Sequence, residues 1–374
     1  MIYMNNAASA WPKAPGVPEA VADALREIPG FPGRGAGFRQ TGHADDCRRR
    51  LSQLLGCPPD RIVLTPNATF ALNIAILGMS LKKNDEVLTS VTEHNSVLRP
   101  LARLEKLSGI KVTRAAAGPD GLIDTEEFER ALRRGPRLVV LNHACNVTGV
   151  IQPAGKLFAA AKRAGAVTLL DASQTLGAIP VDSAGLSADI IAFTGHKALR
   201  GPEGAGGLFV SPEIELEQII TGGTGVRSDL EFHPPEMPLR LEAGTPNTPS
   251  LAGLSAALLW HETSGAAFRA AERDRTAQLL AGLRKIPHVR LLCGAASAPR
   301  VGIVSFTLDG WDTGEAGFAL EKSFGVICRA GLHCAPLIHK TLGSYPNGAL
   351  RLSPSGATTE AEIDFVLGSI RKMA

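Results

Sequence analysis

The sequence has no CxxC pair: its six cysteines, at positions 47, 57, 145, 293, 328 and 334, stand apart and offer no paired ligand spacing. A structural zinc site is not expected, no metal is called for, and most of these thiols read as reduced, small core residues. No apolar run approaches the ~20 residues of a membrane span, and the chain does not open with the basic-then-apolar layout of a secretion signal. A cytoplasmic protein with no membrane partner is therefore expected. Net charge is also scarce, +3 over 374 residues. The one basic run, Arg48-Arg49-Arg50, suits a solvated helix face, so no nucleic-acid partner is expected.

What is present is an ordinary globular composition, 44% hydrophobic, with 40 glycines. That is about 11% against a usual ~7%, which points to tight turns and close backbone approaches to a ligand. Helices are expected over Pro15–Ile28 and Ala44–Leu55, around a glycine-rich loop, Gly30–Gly42, that carries Arg34 and Arg39. From Arg61 the chain alternates. Strands are expected at Arg61–Thr65, Glu86–Ser90, Lys111–Arg114, Leu138–Asn142 and Val167–Asp171. Between them fall helices at Ala68–Met79, Asn95–Leu107, Thr125–Arg133 and Gly155–Ala164. Repeated strand-helix-strand units imply an α/β fold, a mostly parallel sheet sandwiched by helices. After the glycines of 201–207 the alternation stops, and residues 221–250 read as extended loop. A long helical region, Leu251–Leu283, broken near Gly265, then leads into a smaller α+β unit. Its strands are expected at Val289–Cys293, Val301–Leu308 and Ala349–Ser353, and its helices at Thr313–Phe324 and Thr359–Lys372. The expected division is a large domain, 14–258, and a small one made of 1–13 and 259–374.

The chemistry centres on Phe193-Thr194-Gly195-His196-Lys197. Ile190, Ile191 and Ala192 lead into it as a buried strand that empties into a polar turn. A lysine at such a place has its pKa lowered by burial and is a candidate Schiff-base nucleophile. Alone it would read as a surface lysine. However, Asp171 closes the preceding strand, Gln174 follows, and parallel strands end on one edge of the sheet, where ligands bind. An acid and a lysine on that edge match the needs of pyridoxal phosphate: a carboxylate for the ring nitrogen and an amine for the aldehyde. Asn67-Ala68-Thr69, at a helix start, offers backbone amides and a hydroxyl for a phosphate, or a plain helix cap. Thr194 and His196 add donors. His94 and Asn146 follow strand ends on the same edge, and the small polar run Asn5-Asn6-Ala7-Ala8-Ser9 suits a loop lining a site. Cys328 to Pro336 reads as a loop in which Arg329 and His333 give Cys334 a cationic setting that favours thiolate. Arg329 and Arg351 together could grip a carboxylate in bidentate fashion.

Asp171-Ala-Ser-Gln174, Thr194-Gly-His-Lys197, Glu242-Ala-Gly-Thr245-Pro-Asn-Thr and Arg329-Ala-Gly-Leu-His-Cys334-Ala-Pro keep the motif order of a known family. Over nearly its whole length the chain resembles the cysteine desulfurases and selenocysteine lyases, within the class V aminotransferase fold of pyridoxal 5'-phosphate enzymes. The resemblance implies that Lys197 bonds the cofactor aldehyde, Asp171 pairs with the ring nitrogen, Gln174 meets the phenolic oxygen and His94 stacks on the ring as a further catalytic group. Ala68, Thr69, Thr194 and His196 would hold the phosphate, with Thr245 reaching in from the second subunit of a homodimer. Asn146, which also touches the cofactor, would join Ala8, Arg329 and Arg351 in binding L-cysteine or selenocysteine. Cys334 would accept the sulfur as a persulfide. The short Cys334–Arg351 loop implies a separate sulfur-acceptor protein. The chain departs from the pattern at Phe70, where many relatives carry an acid, and at Leu332, where many carry a second histidine. Another reaction of the same fold with Cys334 as a bystander, or a cofactor-binding protein without catalysis, is the alternative that these residues leave open.

Overall fold

The computed structural model describes residues 1–27, 42–294 and 298–374. Its largest sheet has seven strands, in the spatial order Ile62–Thr65, Gly206–Val210, Ile190–Thr194, Val167–Asp171, Leu138–Asn142, Glu86–Ser90 and Lys111–Ala115. All run parallel except Gly206–Val210, which is antiparallel to both neighbours. The central strands are buried along almost their whole length because both faces are covered. Successive residues serve opposite sides: Leu170, Ile191 and Phe193 pack with Leu51, Phe128, Phe158 and Leu254. Leu169, Ile190 and Ala192 pack instead with Leu72, Ile76, Val97 and Leu101. Helices therefore lie on both faces, as the alternation predicts.

The strand Gly206–Val210 lies where the glycine content reads as loop. Its glycines are a packing requirement: a Cβ on Gly207 would come within 2.5 Å of the Phe193 ring, and one on Gly206 within 2.8 Å of the Phe193 carbonyl. A four-stranded antiparallel sheet follows, in the order Arg329–Gly331, Ala349–Leu352, Val304–Leu308 and Val289–Leu291. It covers its own core, in which Leu279 and Leu283 meet Phe306, Leu352, Ile363 and Leu367. Near the chain start, Ile2–Tyr3 pairs in parallel with Val326–Ile327.

The helix expected to break near Gly265 runs unbroken for 36 residues, Thr248–Leu283. A glycine costs a helix only about 1 kcal/mol. Here Leu251, Leu254 and Leu258 are anchored on the large sheet and Leu279 and Leu283 on the small one, and that burial outweighs it. The helix expected over Pro15–Ile28 is observed at Val17–Arg26, and the loop Gly30–Gly42, Gly42 apart, lies outside the described residues. Among the described residues no helix is long and apolar enough to cross a membrane.

Candidate active site

Four adjacent parallel strands deliver Ser90, Asn142, Asp171 and Thr194 to one edge of the large sheet. There a cavity of about 460 Å³ opens between the two sheets. Ala8, Ala68, Thr69, His94, Asn146 and Asp171 line it, as do Gln174, Thr194, His196, Lys197, Arg329 and Arg351. Residues spread over more than 340 positions of sequence thus converge on one space.

Burial and the nearby Arg351 and Arg329 lower the Lys197 amine to about 8, although Asp171 and Cys334 pull it upward. Asp171 is buried, and its Oδ1 accepts the Ser173 N–H at 2.9 Å and the Ser173 hydroxyl. His94 caps the helix Asn95–Ser108: its Nδ1 accepts the Ser96 N–H at 3.0 Å. The proton of the neutral ring is therefore on Nε2. Burial, set against the pull of Asp171, lowers His94 to about 4, so the neutral ring persists at physiological pH. The Ser96 hydroxyl lies 2.9 Å from His94 Nδ1 and 2.8 Å from the Thr69 hydroxyl, while Thr194 Oγ1 lies 2.9 Å from His196 Nδ1. Burial lowers His196 to about 4. Gln174 donates from Nε2 to the Ala7 carbonyl at 3.1 Å.

Arg329 and Arg351 are directly opposite each other in an antiparallel pair. Like charges at such a position destabilise a sheet. Among the described residues neither has a carboxylate within ion-pair distance. Arg351 is fully buried. It donates to the Asn146 carbonyl at 2.9 Å and to Asn5 Oδ1 at 3.2 Å, and its Nε has no partner among the described residues. Burial and the Arg329 charge lower it to about 9. The Asn146 side-chain oxygen is also buried without a partner. Unpaired buried donors and acceptors of this kind are costly unless a ligand completes them, and a small carboxylate fits the guanidinium forks.

Cys334 is half-buried, 3.6 Å from Arg329 Nη2. The stretch expected as a loop begins as the strand Arg329–Gly331 and ends in a tight turn in which His333 and Cys334 both have positive φ, 50° and 59°. Left-handed backbone is uncommon for such residues and must be held by its surroundings. Asn95 N–H donates to the Cys334 carbonyl at 2.7 Å, and Asn146 Nδ2 to the His333 carbonyl at 2.6 Å. The turn is thus stitched to the segments bearing His94 and Asn146. His333 does not supply the expected cation. It is buried, donates from Nε2 to the Ala349 carbonyl at 2.9 Å, and burial lowers it to about 2, so the positive neighbour of Cys334 is Arg329. Past Cys334 the chain forms a short helix, Pro336–Thr341, rather than an open loop. Thr245 is exposed on the 221–247 segment, away from this chain's own cavity.

Sequence reasoning passed over Glu93, Ser96 and Ser173. Glu93 is fully buried. Its Oε1 accepts from the Ser90 hydroxyl at 2.7 Å and the Asn142 N–H at 3.1 Å, and burial, with Asp171 adding to it, pushes it up to about 8. A signal was available: a polar trio, Thr92-Glu93-His94, one residue past the strand Glu86–Ser90.

A family model described as "Aminotransferase class-V" matches residues 2–366. A protein of Methanothermobacter thermautotrophicus named "Probable cysteine desulfurase" is 30% identical over all of this chain and 94% of its own length. Cysteine desulfurase IscS of Pectobacterium carotovorum is 31% identical over 90% of this chain and 82% of its own. Among solved structures, an apo cysteine desulfurase from Thermococcus onnurineus superposes with a TM-score of 0.91 at 29% identity, covering 100% of this chain and 94% of the other. Full-length matches of this kind, together with a type I α/β architecture, mean that this chain belongs to the class V aminotransferase family, among its cysteine desulfurases.

Proposed function

We propose that the protein is a pyridoxal 5'-phosphate-dependent cysteine desulfurase that converts L-cysteine to L-alanine and passes the sulfur to Cys334. One observation carries this above all. A lysine amine lowered to about 8 shares a cavity with Asp171 and with two arginines that have no carboxylate partner among the described residues, one of them 3.6 Å from a cysteine thiol. The residues fit the cofactor. The Thr69, Ser96 and Thr194 hydroxyls and His196 suit a phosphate, Asp171 a protonated ring nitrogen, and the neutral His94 ring a stacking surface. Bound there, the cofactor supplies an aldehyde for the lysine and a ring that takes up the electron pair left when the substrate Cα–H bond breaks.

The chain's own groups then have distinct tasks. Arg351 and Arg329, with Asn146 and the Ala8 segment, hold the substrate carboxylate and so orient its Cα. Lys197, freed as a near-neutral amine, removes the Cα proton at Nζ and returns it. Cys334, as thiolate, attacks the substrate sulfur. The new S–S bond forms as the substrate Cβ–S bond breaks, its electron pair is retained on the carbon fragment, and protonation there yields alanine. A persulfide stays on Cys334.

In the same proposal the chain works as a large unit, 14–258, and a small one, 1–13 with 259–374, that meet at the cavity. The protein is a cytoplasmic homodimer in which Thr245 completes the partner's phosphate site, as its exposed position suits. Selenocysteine is a second substrate, and a separate protein accepts the persulfide. The test is to add L-cysteine to the cofactor-loaded protein and to measure alanine and protein-bound persulfide. Both should appear in equal amounts in the first turnover. Cofactor uptake without alanine would overturn the proposal in favour of another reaction of this fold.

A further inference from the structure

Residues 5–14 form a strap across the cavity, and Ala7 and Ala8 form part of its wall. At one end the strap is bound to the small sheet: Asn5 Oδ1 accepts from Arg351, and the Ala7 N–H donates to Ser353 Oγ at 2.9 Å. At the other it is bound to the turn bearing Lys197. There the Ala10 N–H donates to the His196 carbonyl at 2.8 Å, the Ala14 N–H donates to the Arg200 carbonyl at 3.0 Å, and Arg200 Nη2 donates to the Pro12 carbonyl at 2.6 Å. We propose that Arg200 is a positioning residue, a clasp that closes the strap onto the Lys197 turn and so sets how far the cavity opens. This rests on Lys197 being the reacting amine.

Arg200 is an unusual choice for such a place. It is 4% exposed and has φ of 61°, a conformation that glycine adopts more readily. Its N–H closes the turn onto the Lys197 carbonyl at 2.8 Å. The guanidinium lies 4.0 Å from the Phe268 ring centroid and 5.3 Å from that of Trp260, both on the long helix, while Nε and Nη1 have no hydrogen-bond partner among the described residues. Beside it is a separate space of about 40 Å³ that Lys197, Gln174, Glu272 and Gly302 help to line. That is room enough for a bridging water. Even with the Glu272 carboxylate acting on it, burying an arginine with two nitrogens that lack a hydrogen-bond partner among the described residues, on left-handed backbone, is unfavourable for stability alone. What it achieves is a joint between three segments: the Lys197 turn, the strap and the long helix.

Hydrogen exchange on the cofactor-free protein tests this directly. Arg200→Met should speed exchange in a peptide covering residues 5–14 at least tenfold and leave a peptide covering 111–132, which lines neither space, unchanged. The pH midpoint for labelling Lys197 with an amine reagent, read by mass spectrometry, should rise toward that of an ordinary lysine as water enters. Arg200→Lys keeps the charge over Phe268 but loses the planar fork, and should fall between the two. Should Arg200→Met fail to fold, Arg200→Lys carries the test alone. Strap exchange as in the unaltered protein, or acceleration shared equally by both peptides, would overturn the proposal. Failure of the unaltered protein to take up pyridoxal phosphate would sink the role of Lys197 and leave the exchange result standing.

Discussion

Lys197 and Cys334 sit at the edges of two different sheets and are held in opposite ways. The lysine follows Ile190–Thr194, a strand buried at every position in the interior of the seven-stranded sheet. The thiol follows a three-residue strand and rests on two left-handed residues pinned by hydrogen bonds from Asn95 and Asn146. For the amine, burial is the leading influence and lowers it to about 8. The thiol is half-buried, and its nearest charged group is Arg329. The contrast suits the two proposed tasks: a group that moves a proton gains from exclusion of water, whereas a group that must hand on a sulfur atom needs a way out.

Removing the amine should produce the largest effect. Lys197→Ala should lower alanine formation by about 10⁴-fold or more. A smaller loss would place the proton transfer on another residue and break the comparison. Next, Cys334→Ser should abolish the protein-bound persulfide and lower alanine formation about 100-fold. Cofactor uptake should stay as in the unaltered protein, and full turnover in this variant would make the thiol a bystander. The smallest effect sharpens the link between the two regions through Arg329, which acts on both. Capture of pyridoxal phosphate by the cofactor-free protein requires the neutral amine. Its rate should therefore fall tenfold per pH unit below about 8 and level off above it. Because the Arg329 charge helps lower Lys197, Arg329→Gln should move that midpoint upward, and an unmoved midpoint would mean that the two regions are electrically independent.

The central strands were legible because a sheet covered on both faces demands short, mostly apolar runs. Glu86–Ser90, Leu138–Asn142 and Val167–Asp171 fall where the pattern puts them. The cavity-lining group was legible for a related reason: polar residues at or within a few positions of the end of such a strand fall on the ligand edge, and Asp171, His94 and Lys197 all do. Gly206–Val210 was not legible, because glycines that let Phe193 pack close look the same in sequence as glycines in a turn. Neither was the long helix legible through Gly265, since two separate cores hold its ends. His333 misled for want of burial information: beside Cys334 in sequence, its ring turns inward to the Ala349 carbonyl.

By itself the sequence determined the alternating α/β order, the strand-end positions of the lysine and the acid, and the family pattern around Cys334, because these follow from local periodicity and short-range spacing. Only the tertiary structure decided that Arg329 faces Arg351 across a strand pair, that Glu93 is fully buried against Ser90 and Asn142 with its carboxyl pushed upward, and that Arg200 ties the strap to the Lys197 turn. Each of these depends on which distant segments share a space, and burial and charge proximity set by long-range packing leave no trace in local sequence.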